Sequence, residues 1–236
     1  MTETPNLSLP LLAPSQAQKH VTVNEALARV DGLARLVLAS VTQATPPGAV
    51  TDGTAYGVPA GAVNAWAGQA GRVAVAINGG WAFVTPRRGW QAMIADQGMP
   101  AIWDGEGWRA GAVTLTPAGA GCALRSVEME VDLTTGASVT TQAIFPARSI
   151  ALGVTGRVTQ EITGDATAWS LGDGGDATRY GSGLGLSVNS WVNGPTAPMV
   201  HWSPTALEIT GTGGGFTGGR VRLVAHFAEL ALPDPI

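Results

Sequence analysis

The spacing of hydrophobic positions predicts one helix near the start of the chain. Between residues 22 and 41 the apolar side chains recur at alternating intervals of four and three residues, at Val23, Leu27, Val30, Ala34, Val37 and Val41. A repeat of about 3.5 residues marks one face of a helix and is the repeat of coiled coils. Thr22 and Glu25 have the spacing of a capping box, and Pro46-Pro47-Gly48 ends the segment. We therefore predict a helix over residues 22–41, packed either on its own domain or around an oligomer axis.

After the helix, short apolar runs alternate with turn residues, as in β-hairpins. Between residues 49 and 112, tryptophans flank turns such as Asn78-Gly79-Gly80 and Asp104-Gly105, and such dipeptides supply the positive φ of two-residue hairpin turns. Residues 113–125 have mainly small side chains. The segment from Val127 to Leu133 then alternates strictly between apolar and acidic residues, which is the pattern of a half-buried strand.

The C-terminal half contains about eight strand candidates separated by turn signals. They are Val127–Leu133, Ser138–Phe145, Ile150–Thr159, Ala168–Leu171, Leu184–Val188, Met199–Ser203, Ala206–Thr210 and Val221–Leu232. This pattern is typical of a β-sandwich such as a jelly roll. The predicted fold is therefore mainly β. It has an N-terminal helix and small β-hairpin module (residues 1–112), a linker (113–125) and an antiparallel, jelly-roll-like β-sandwich (126–236).

Composition and charge exclude several classes of function. Charged residues make up 13% of the 236 residues, about half the ~25% of an ordinary domain, and the formal net charge is −4. Because no basic run is present, we expect neither DNA nor RNA as a partner. Cys122 is the single cysteine, so neither a disulfide framework nor a thiolate metal site is expected. No apolar run approaches the ~20 residues of a membrane span, and no secretory signal is recognisable, so we expect synthesis in the cytoplasm.

The sequence contains no motif for catalysis or cofactor binding, so we predict neither an enzyme nor a cofactor. Glycoside hydrolysis needs two carboxylates about 5–9.5 Å apart, and no spacing pairs any two of Asp165, Asp173, Asp176 and Glu208. Asp173 and Asp176 lie beside glycines, as calcium ligands often do, but the regular acidic spacing and distal glutamate of an EF-hand are missing. A solvated turn without a metal is therefore the prediction for this segment.

Aromatic and polar side chains concentrate in three segments of the C-terminal half that we predict to be loops, GDGGDATRYGSG, SVNSWVNG and MVHWSP. Sugar rings stack on Trp and Tyr, while Asp, Asn, Arg and His hydrogen-bond to sugar hydroxyls. The candidate carbohydrate-binding residues are Asp173, Asp176, Arg179, Tyr180, Trp191, Asn193, His201 and Trp202. The alternative for each aromatic is a core position at one end of the sandwich. Trp169, within a strand-like run, is expected in the core.

Four blocks lie between about residues 7 and 110, namely LPLLAPSQAQKHVTVNEALARVDGL, TPP…DGTAY, AWAG…GGWAFVTPRRGW and WDGEGW. Together they resemble a family of uncharacterised domains in tail-fibre and spike proteins of alphaproteobacterial prophages and gene transfer agents. The stretches GVTGRVTQEITGDATAWSLG, RYGSGLGLS and FTGGRVRLVAHF resemble the β-domain that often follows in these proteins.

The resemblance implies a head-spike or tail-fibre protein of a phage-like particle that binds capsular polysaccharide on the host cell. It also implies a homo-oligomer, trimeric like most fibres or five-fold at a capsid vertex, that contacts other spike or capsid proteins and is released by lysis. Residues 1–112 would serve attachment and oligomerisation, and residues 126–236 would bind the glycan. Two alternatives remain open. A structural spike base for a separate receptor-binding subunit would bury Tyr180, Trp191 and Trp202, and a polysaccharide-cleaving enzyme would need two carboxylates converging in a groove.

Overall fold

The computed structural model describes residues 3–13 and 19–235 and divides the chain into two compact units, Met1–Gly119 and Ala120–Ile236. No helix in the described ranges is long and apolar enough to cross a membrane. The division falls inside the predicted linker, and residues 121–125 already form a strand that pairs with the end of the chain, where Gly121 lies opposite Ala231. Small side chains fit a paired strand as well as a linker, so composition alone did not distinguish them.

The N-terminal unit consists of a helix, a short 3₁₀ turn (Asn64–Trp66) and one seven-stranded sheet. Helix α1 spans Lys19–Leu33. The strands are β1 (Val37–Leu38), β2 (Ala55–Gly57), β3 (Val73–Ile77), β4 (Gly80–Val84), β5 (Gln91–Ile94), β6 (Met99–Trp103) and β7 (Trp108–Ala110). Their order in the sheet is β4-β3-β2-β1-β5-β6-β7. Strand β1 runs parallel to both of its neighbours, and the remaining pairs are antiparallel.

Helix α1 begins earlier than predicted. Its first residue is Lys19, so Thr22 lies within the helix instead of capping it. The carboxylate of Glu25 forms an i,i+4 ion pair with Arg29 at 2.7 Å, and such pairs stabilise a helix from its surface. The capping-box spacing was therefore a coincidence of composition.

The helix also ends earlier than predicted, at Leu33, and residues 34–41 are not helical. Leu36 and Leu38 are buried while Val37 between them is exposed, which is the two-residue alternation of a strand. The carbonyl of Leu36 accepts a hydrogen bond from the amide of Met93 at 3.0 Å. Because the apolar residues of this segment fit both a helical and a strand spacing, the sequence pattern overestimated the helix.

The turn-flanking tryptophans of the N-terminal unit contribute mainly to its core. Trp66 is fully buried, and the rings of Tyr56, Trp66 and Trp81 form a cluster with centroids 5.0–5.8 Å apart. Trp103 and Trp108 pack edge to face across the β6–β7 hairpin at 5.3 Å. Aromatic pairs in these geometries stabilise a fold beyond the area that they bury. These rings hold the hairpins together, and the large exposed aromatic side chains belong to the C-terminal unit.

The C-terminal unit is an antiparallel β-sandwich, which confirms the predicted fold class. Its strands are β8 (Gly121–Asp132), β9 (Ser138–Phe145), β10 (Ser149–Gly164), β11 (Ala168–Asp173), β12 (Asp176–Leu184), β13 (Trp191–His201), β14 (Thr205–Thr212) and β15 (Phe216–Ala231). One sheet has the order β13-β10-β15-β8 and the other β12-β11-β14-β9. All pairs within both sheets are antiparallel.

Side-chain alternation places the core of this unit between the two sheets. In β15 every second residue from Val221 to Phe227 is buried, and it packs with residues of the second sheet such as Trp169 and Leu171. The intervening positions of β15 and β8 therefore form the outer face of the first sheet. Trp169 is fully buried, as the sequence predicted.

The largest differences from the predicted strands concern β12 and β13. Two segments predicted as loops belong largely to these strands, and the predicted strand Leu184–Val188 lies mostly in the connection between them. Glycines cause the difference, because Gly181, Gly183 and Gly194 lie within strands although glycine usually indicates a turn. This changes which side chains of the predicted site reach the surface.

Candidate functional site

The structure separates the eight predicted carbohydrate-binding residues into an internal and an exposed group. Buried or half-buried are Asp173, Arg179, Tyr180 and His201. Exposed are Asp176, Trp191, Asn193 and Trp202. The division follows from strand alternation, because most of these residues lie in strands, where neighbours point to opposite faces.

Tyr180 and His201 are covered by the core and do not reach a polymer at the surface. Tyr180 is 2% and His201 7% exposed. The ring of Phe145 stacks on both, with centroids 4.8 Å from His201 and 6.2 Å from Tyr180. The structure therefore contradicts the prediction that these two side chains contact a sugar. His201, the last residue of β13, pairs with the buried Ser149, so its ring points inwards.

Asp173 and Arg179 have a structural role at the β11–β12 turn. Oδ1 of Asp173 accepts hydrogen bonds from the amides of Gly175 (2.9 Å) and Asp176 (3.1 Å). Oδ2 lies 2.7 Å from Nε of Arg179, which forms an ion pair with it. Because both carboxylate oxygens are engaged and Asp173 is buried, this pair holds the turn and is not free to bind a sugar.

The pKa shifts of Tyr180 and His201 in this internal cluster favour the neutral form of each ring. Burial raises the pKa of Tyr180 to about 12, and the negative charge of Asp173 adds to the rise. Burial lowers the pKa of His201, and the attraction of Asp173 for a proton on the ring opposes this only in part. Desolvation disfavours the charged form of each group. The cluster thus presents a neutral aromatic interior beside one compensated ion pair.

Asp176 is exposed but serves the same turn. Its Oδ1 accepts hydrogen bonds from the amide and the hydroxyl of Thr178, each at 2.9 Å, and these bonds lower the pKa of the carboxyl. Among the described residues, no group of three or more His, Cys, Asp and Glu side chains is arranged to hold a metal ion. The carboxylates of Asp173 and Asp176 stabilise the turn by hydrogen bonds instead.

Trp191 and Asn193 lie together on the outer face of the sheet β13-β10-β15-β8. Val192 between them is buried in the core, so its two neighbours point outwards. The ring of Trp191 is 63% exposed. Across the ladder to β10, Trp191 pairs with Arg157 and Asn193 pairs with Thr155. Side chains at such paired positions are close enough to act on one ligand.

These two rows continue across β15 and β8. Arg157 pairs with Arg222, which in turn pairs with Glu130 on β8. Thr155 pairs with Val224, which pairs with Glu128. We call this surface the Trp191 face, and its members are Trp191, Asn193, Thr155, Arg157, Arg222, Val224, Glu128 and Glu130.

The two arginines of the Trp191 face differ in their ion pairing, since among the described residues Arg222 is paired with glutamates and Arg157 is not. Nη2 of Arg222 lies 2.6 Å from the carboxylate of Glu130, and Nε of Arg222 lies 3.5 Å from the carboxylate of Glu128. These contacts raise the pKa of Arg222, and the guanidinium is committed to them. The guanidinium of Arg157 instead donates one hydrogen bond, at 3.1 Å, to the carbonyl of Asn189. Its remaining N–H groups stay available beside Trp191.

His226 on β15 connects side chains of the two neighbouring strands, β8 and β10, by hydrogen bonds. Its Nδ1 hydrogen-bonds with the hydroxyl of Ser126 and its Nε2 with the hydroxyl of Thr155, both at 2.9 Å. Burial lowers the pKa of His226. The ring thereby links β8, β15 and β10 and orients Thr155 next to Asn193.

The Trp191 face presents one exposed indole and several hydrogen-bond groups on neighbouring strands of one sheet. The flat side of an indole suits the C–H face of a sugar ring, while amide, hydroxyl and guanidinium groups bind its oxygens. Exposed groups arranged along neighbouring strands can contact successive units of a long polymer. The arrangement therefore favours binding of a chain over enclosure of a small molecule.

Trp202 is also exposed, by 80%, but it lies at the other end of β13. Trp191 pairs with Arg157 of β10, whereas His201, next to Trp202, pairs with Ser149. The eight residues between these partners correspond to about 26 Å at ~3.3 Å per residue. Trp191 and Trp202 thus form two separate aromatic positions along one pair of strands and do not belong to one compact patch.

Several members of the Trp191 face were not among the predicted site residues. They lie on β8, β10 and β15, which are distant in sequence from Trp191. One signal in the sequence did connect two of them, Glu130 and Arg222. Glu130 and Asp132 on β8 and Arg220 and Arg222 on β15 share the two-residue spacing of paired strands with complementary charge, and Arg222 pairs with Glu130. No comparable signal connects Arg157 with Trp191.

Comparison with known proteins gives a partial match. A family model described as a protein of unknown function (DUF2793) matches residues 23–109 and thus lies within the N-terminal unit. No curated protein matches the chain. Among solved structures, the chain is similar to one in the cyanophage Pam1 capsid asymmetric unit, with 24% identity over 46% of this chain and 84% of that chain and a TM-score of 0.31. A TM-score this low carries no argument about fold or function.

Proposed function

We propose that this protein is a spike or fibre adhesin of a phage-like particle and that its C-terminal unit binds capsular polysaccharide on the host cell. The observation that carries the proposal is the Trp191 face, on which an exposed indole is flanked by Asn193, Thr155 and Arg157 in register. The family match over residues 23–109 covers the same part of the chain as the sequence blocks that resemble prophage and gene transfer agent fibre domains.

Binding without cleavage is part of the proposal. The two carboxylates of the Trp191 face, Glu128 and Glu130, project from the same strand and are engaged by Arg222. A glycosidase pair must flank the scissile bond from two sides, with one carboxyl group free to donate a proton. Side chains on one strand of an open sheet face do not enclose a bond in this way, so the face suits adhesion.

Replacing Trp191 by alanine is expected to weaken binding of the full chain to encapsulated cells about ten-fold. A stacked aromatic ring contributes about 1 kcal/mol beyond its buried area, and a loss of ~1.4 kcal/mol corresponds to a factor of ten. Binding would be measured with labelled protein on encapsulated alphaproteobacterial cells and on matched acapsular mutants. Because the side chain is exposed, the variant keeps its fold, which circular dichroism would verify.

Leu230→Ala is the matched control for this experiment, since Leu230 is 70% exposed on β15 of the same sheet but lies outside the Trp191 face. It is expected to bind like the unmodified protein. Equal binding of wild type and Trp191→Ala would remove the Trp191 face as the site. Failure of a folded wild-type protein to distinguish encapsulated from acapsular cells would favour the alternative, a spike base that carries a separate receptor-binding subunit.

We further propose that the protein is a homo-oligomer held together at helix α1, with a trimer favoured and a pentamer as the alternative. Most positions of the 3.5-residue repeat do not pack into the unit itself, although Val41 packs against its core. Val23, Val30 and Val37 are exposed and Leu27 is half-buried, with exposed Met93 paired beside Val37. We call these five residues the α1 stripe. Within α1, Val23, Leu27 and Val30 keep the 3.5-residue spacing with which helices pack in coiled coils. Val37 and Met93 extend this apolar surface onto β1 and β5.

Replacing Val30 by aspartate is expected to convert the oligomer to a monomer of about 24.0 kDa in light scattering after size exclusion. A charge at the centre of an apolar contact loses its hydration without gaining a partner. Val113→Asp is the control, because Val113 is equally exposed and lies outside the α1 stripe. A monomeric wild-type protein, or an oligomer that survives Val30→Asp, would contradict assembly through this stripe.

A further inference from the structure

The arginines of the C-terminal unit show an uneven pattern of pairing. This unit contains six arginines and no lysine. Four of them form ion pairs with acidic residues, namely Arg125, Arg179, Arg220 and Arg222. Among residues 120–235, which the structure describes, the two without an acidic partner are Arg148 and Arg157. Both are exposed.

These two arginines lie next to the two exposed tryptophans. Arg157 is the cross-strand partner of Trp191. Arg148 immediately precedes Ser149, the partner of His201, and its amide donates a hydrogen bond to the His201 carbonyl at 2.6 Å. Trp202 directly follows His201, so Arg148 and Trp202 flank the same end of the β10–β13 ladder. Each end of the ladder thus carries one exposed tryptophan and one exposed arginine without an acidic partner in the described part of the chain.

The backbone conformation of Arg148 favours a ligand-binding role for its side chain. Arg148 has a φ of 66°, in the left-handed region that glycine and asparagine adopt more easily. A non-glycine residue in this conformation strains the backbone. An exposed arginine without an ion pair contributes little to the stability of the fold, so stability does not explain the residue. A ligand contact made by the guanidinium would account for an arginine at this place.

We propose that the polysaccharide bound by this unit is anionic and that Arg157 and Arg148 bind its acidic groups beside sugar rings stacked on Trp191 and Trp202. This inference rests on the proposed function and specifies its ligand. The planar guanidinium matches the carboxylate of a sugar acid or a sulfate ester through two parallel hydrogen bonds. With the two Trp–Arg pairs about 26 Å apart along β10, a repeating polymer can occupy both, whereas a small sugar acid reaches only one.

The net negative charge of the C-terminal unit limits binding to polyanions whose acidic groups reach Arg148 and Arg157. It carries ten acidic residues against its six arginines, so a polyanion gains no general attraction to the surface. At physiological salt, charges are screened beyond about 8 Å. Recognition then depends on the uncompensated guanidinium groups at the contact, and binding to unrelated polyanions is weak.

Chemical modification of the polysaccharide tests the inference. Capsular polysaccharide would be purified from the encapsulated cells that bind the protein. It would be used native, after carbodiimide and borohydride reduction of its carboxylates, and after solvolytic removal of sulfate. We expect reduction or desulfation to weaken binding of the full chain at least ten-fold, and the effective treatment identifies the anion. Unchanged affinity after both treatments would overturn the inference while the adhesin proposal stands. A folded chain that binds no form of the polysaccharide would overturn both.

Substitutions locate the contact. Arg157→Gln and Arg148→Gln are each expected to weaken binding to the native polysaccharide about ten-fold and to reduce its dependence on salt. Both side chains are exposed, so the fold is retained. Arg72→Gln is the control, since Arg72 is also exposed and forms no ion pair within the described residues, but lies in the N-terminal unit. Wild-type affinity in both Arg157→Gln and Arg148→Gln, or an equal loss in Arg72→Gln, would contradict the assignment.

Discussion

Replacing Gly194 by alanine is expected to destabilise the C-terminal unit by about 3 kcal/mol or to prevent its folding. A Cβ at this position would lie 2.0 Å from the carbonyl oxygen of Tyr180 and 2.6 Å from its Cα. Both are backbone atoms, so no side chain can move aside, and β12 and β13 must separate. Overpacking of a core costs about 1–3 kcal/mol when side chains adjust, and a backbone clash belongs at the upper end.

The measurement is urea unfolding of the full chain, with hydrogen exchange of the β12 and β13 amides to assign the transition to this unit. Gly174→Ala is the matched control. Gly174 lies in the exposed β11–β12 turn, and a Cβ there would have no atom within 4 Å. We expect a change within about 0.5 kcal/mol, as for most surface substitutions. If Gly194→Ala were as stable as Gly174→Ala, the two sheets would not approach each other at Gly194.

The sequence pattern predicted secondary structure correctly where it fits only one kind of element. The alternation from Val127 to Leu133 identified the second half of β8, and the predicted strand Ser138–Phe145 coincides with β9. Neither segment contains glycine, and in the first the apolar and polar residues alternate strictly, as in a half-buried strand. The apolar residues of segment 34–41 fit both the spacing of a helix and the spacing of a strand. The pairing of β1 with β2 and β5 makes part of this segment a strand.

The candidate site was predictable only in part because a binding surface depends on register. Trp191 and Asn193 were found from residue type, and both are exposed. Tyr180 and His201 were chosen by the same criterion and are buried, since glycine-rich β12 and the end of β13 are strands whose inward positions these residues occupy. Pairing of Arg157 with Trp191 joins segments 34 residues apart, and no local pattern specifies which strands become neighbours.

Replacing Trp169 by alanine is expected to lower the free energy of unfolding of the C-terminal unit by about 3–5 kcal/mol, the usual range for removal of a buried aromatic side chain. Trp169 is fully buried, and its indole N–H donates a hydrogen bond to the Gly185 carbonyl at 2.8 Å. Its removal leaves a cavity between the sheets and deprives that carbonyl of its donor. Urea unfolding, monitored by circular dichroism, measures the loss.

Trp202→Ala is the control that separates burial from residue type. The same atoms are removed, but Trp202 is 80% exposed, so we expect the free energy of unfolding to change by about 0.5 kcal/mol or less. Polysaccharide binding should respond in the opposite order, because Trp202 belongs to one of the two Trp–Arg pairs and Trp169 reaches no surface. Similar stability losses in the two variants would contradict the placement of Trp169 between the sheets. A loss of binding in a folded Trp169→Ala protein with intact Trp202 would contradict a ligand contact confined to the exposed tryptophans.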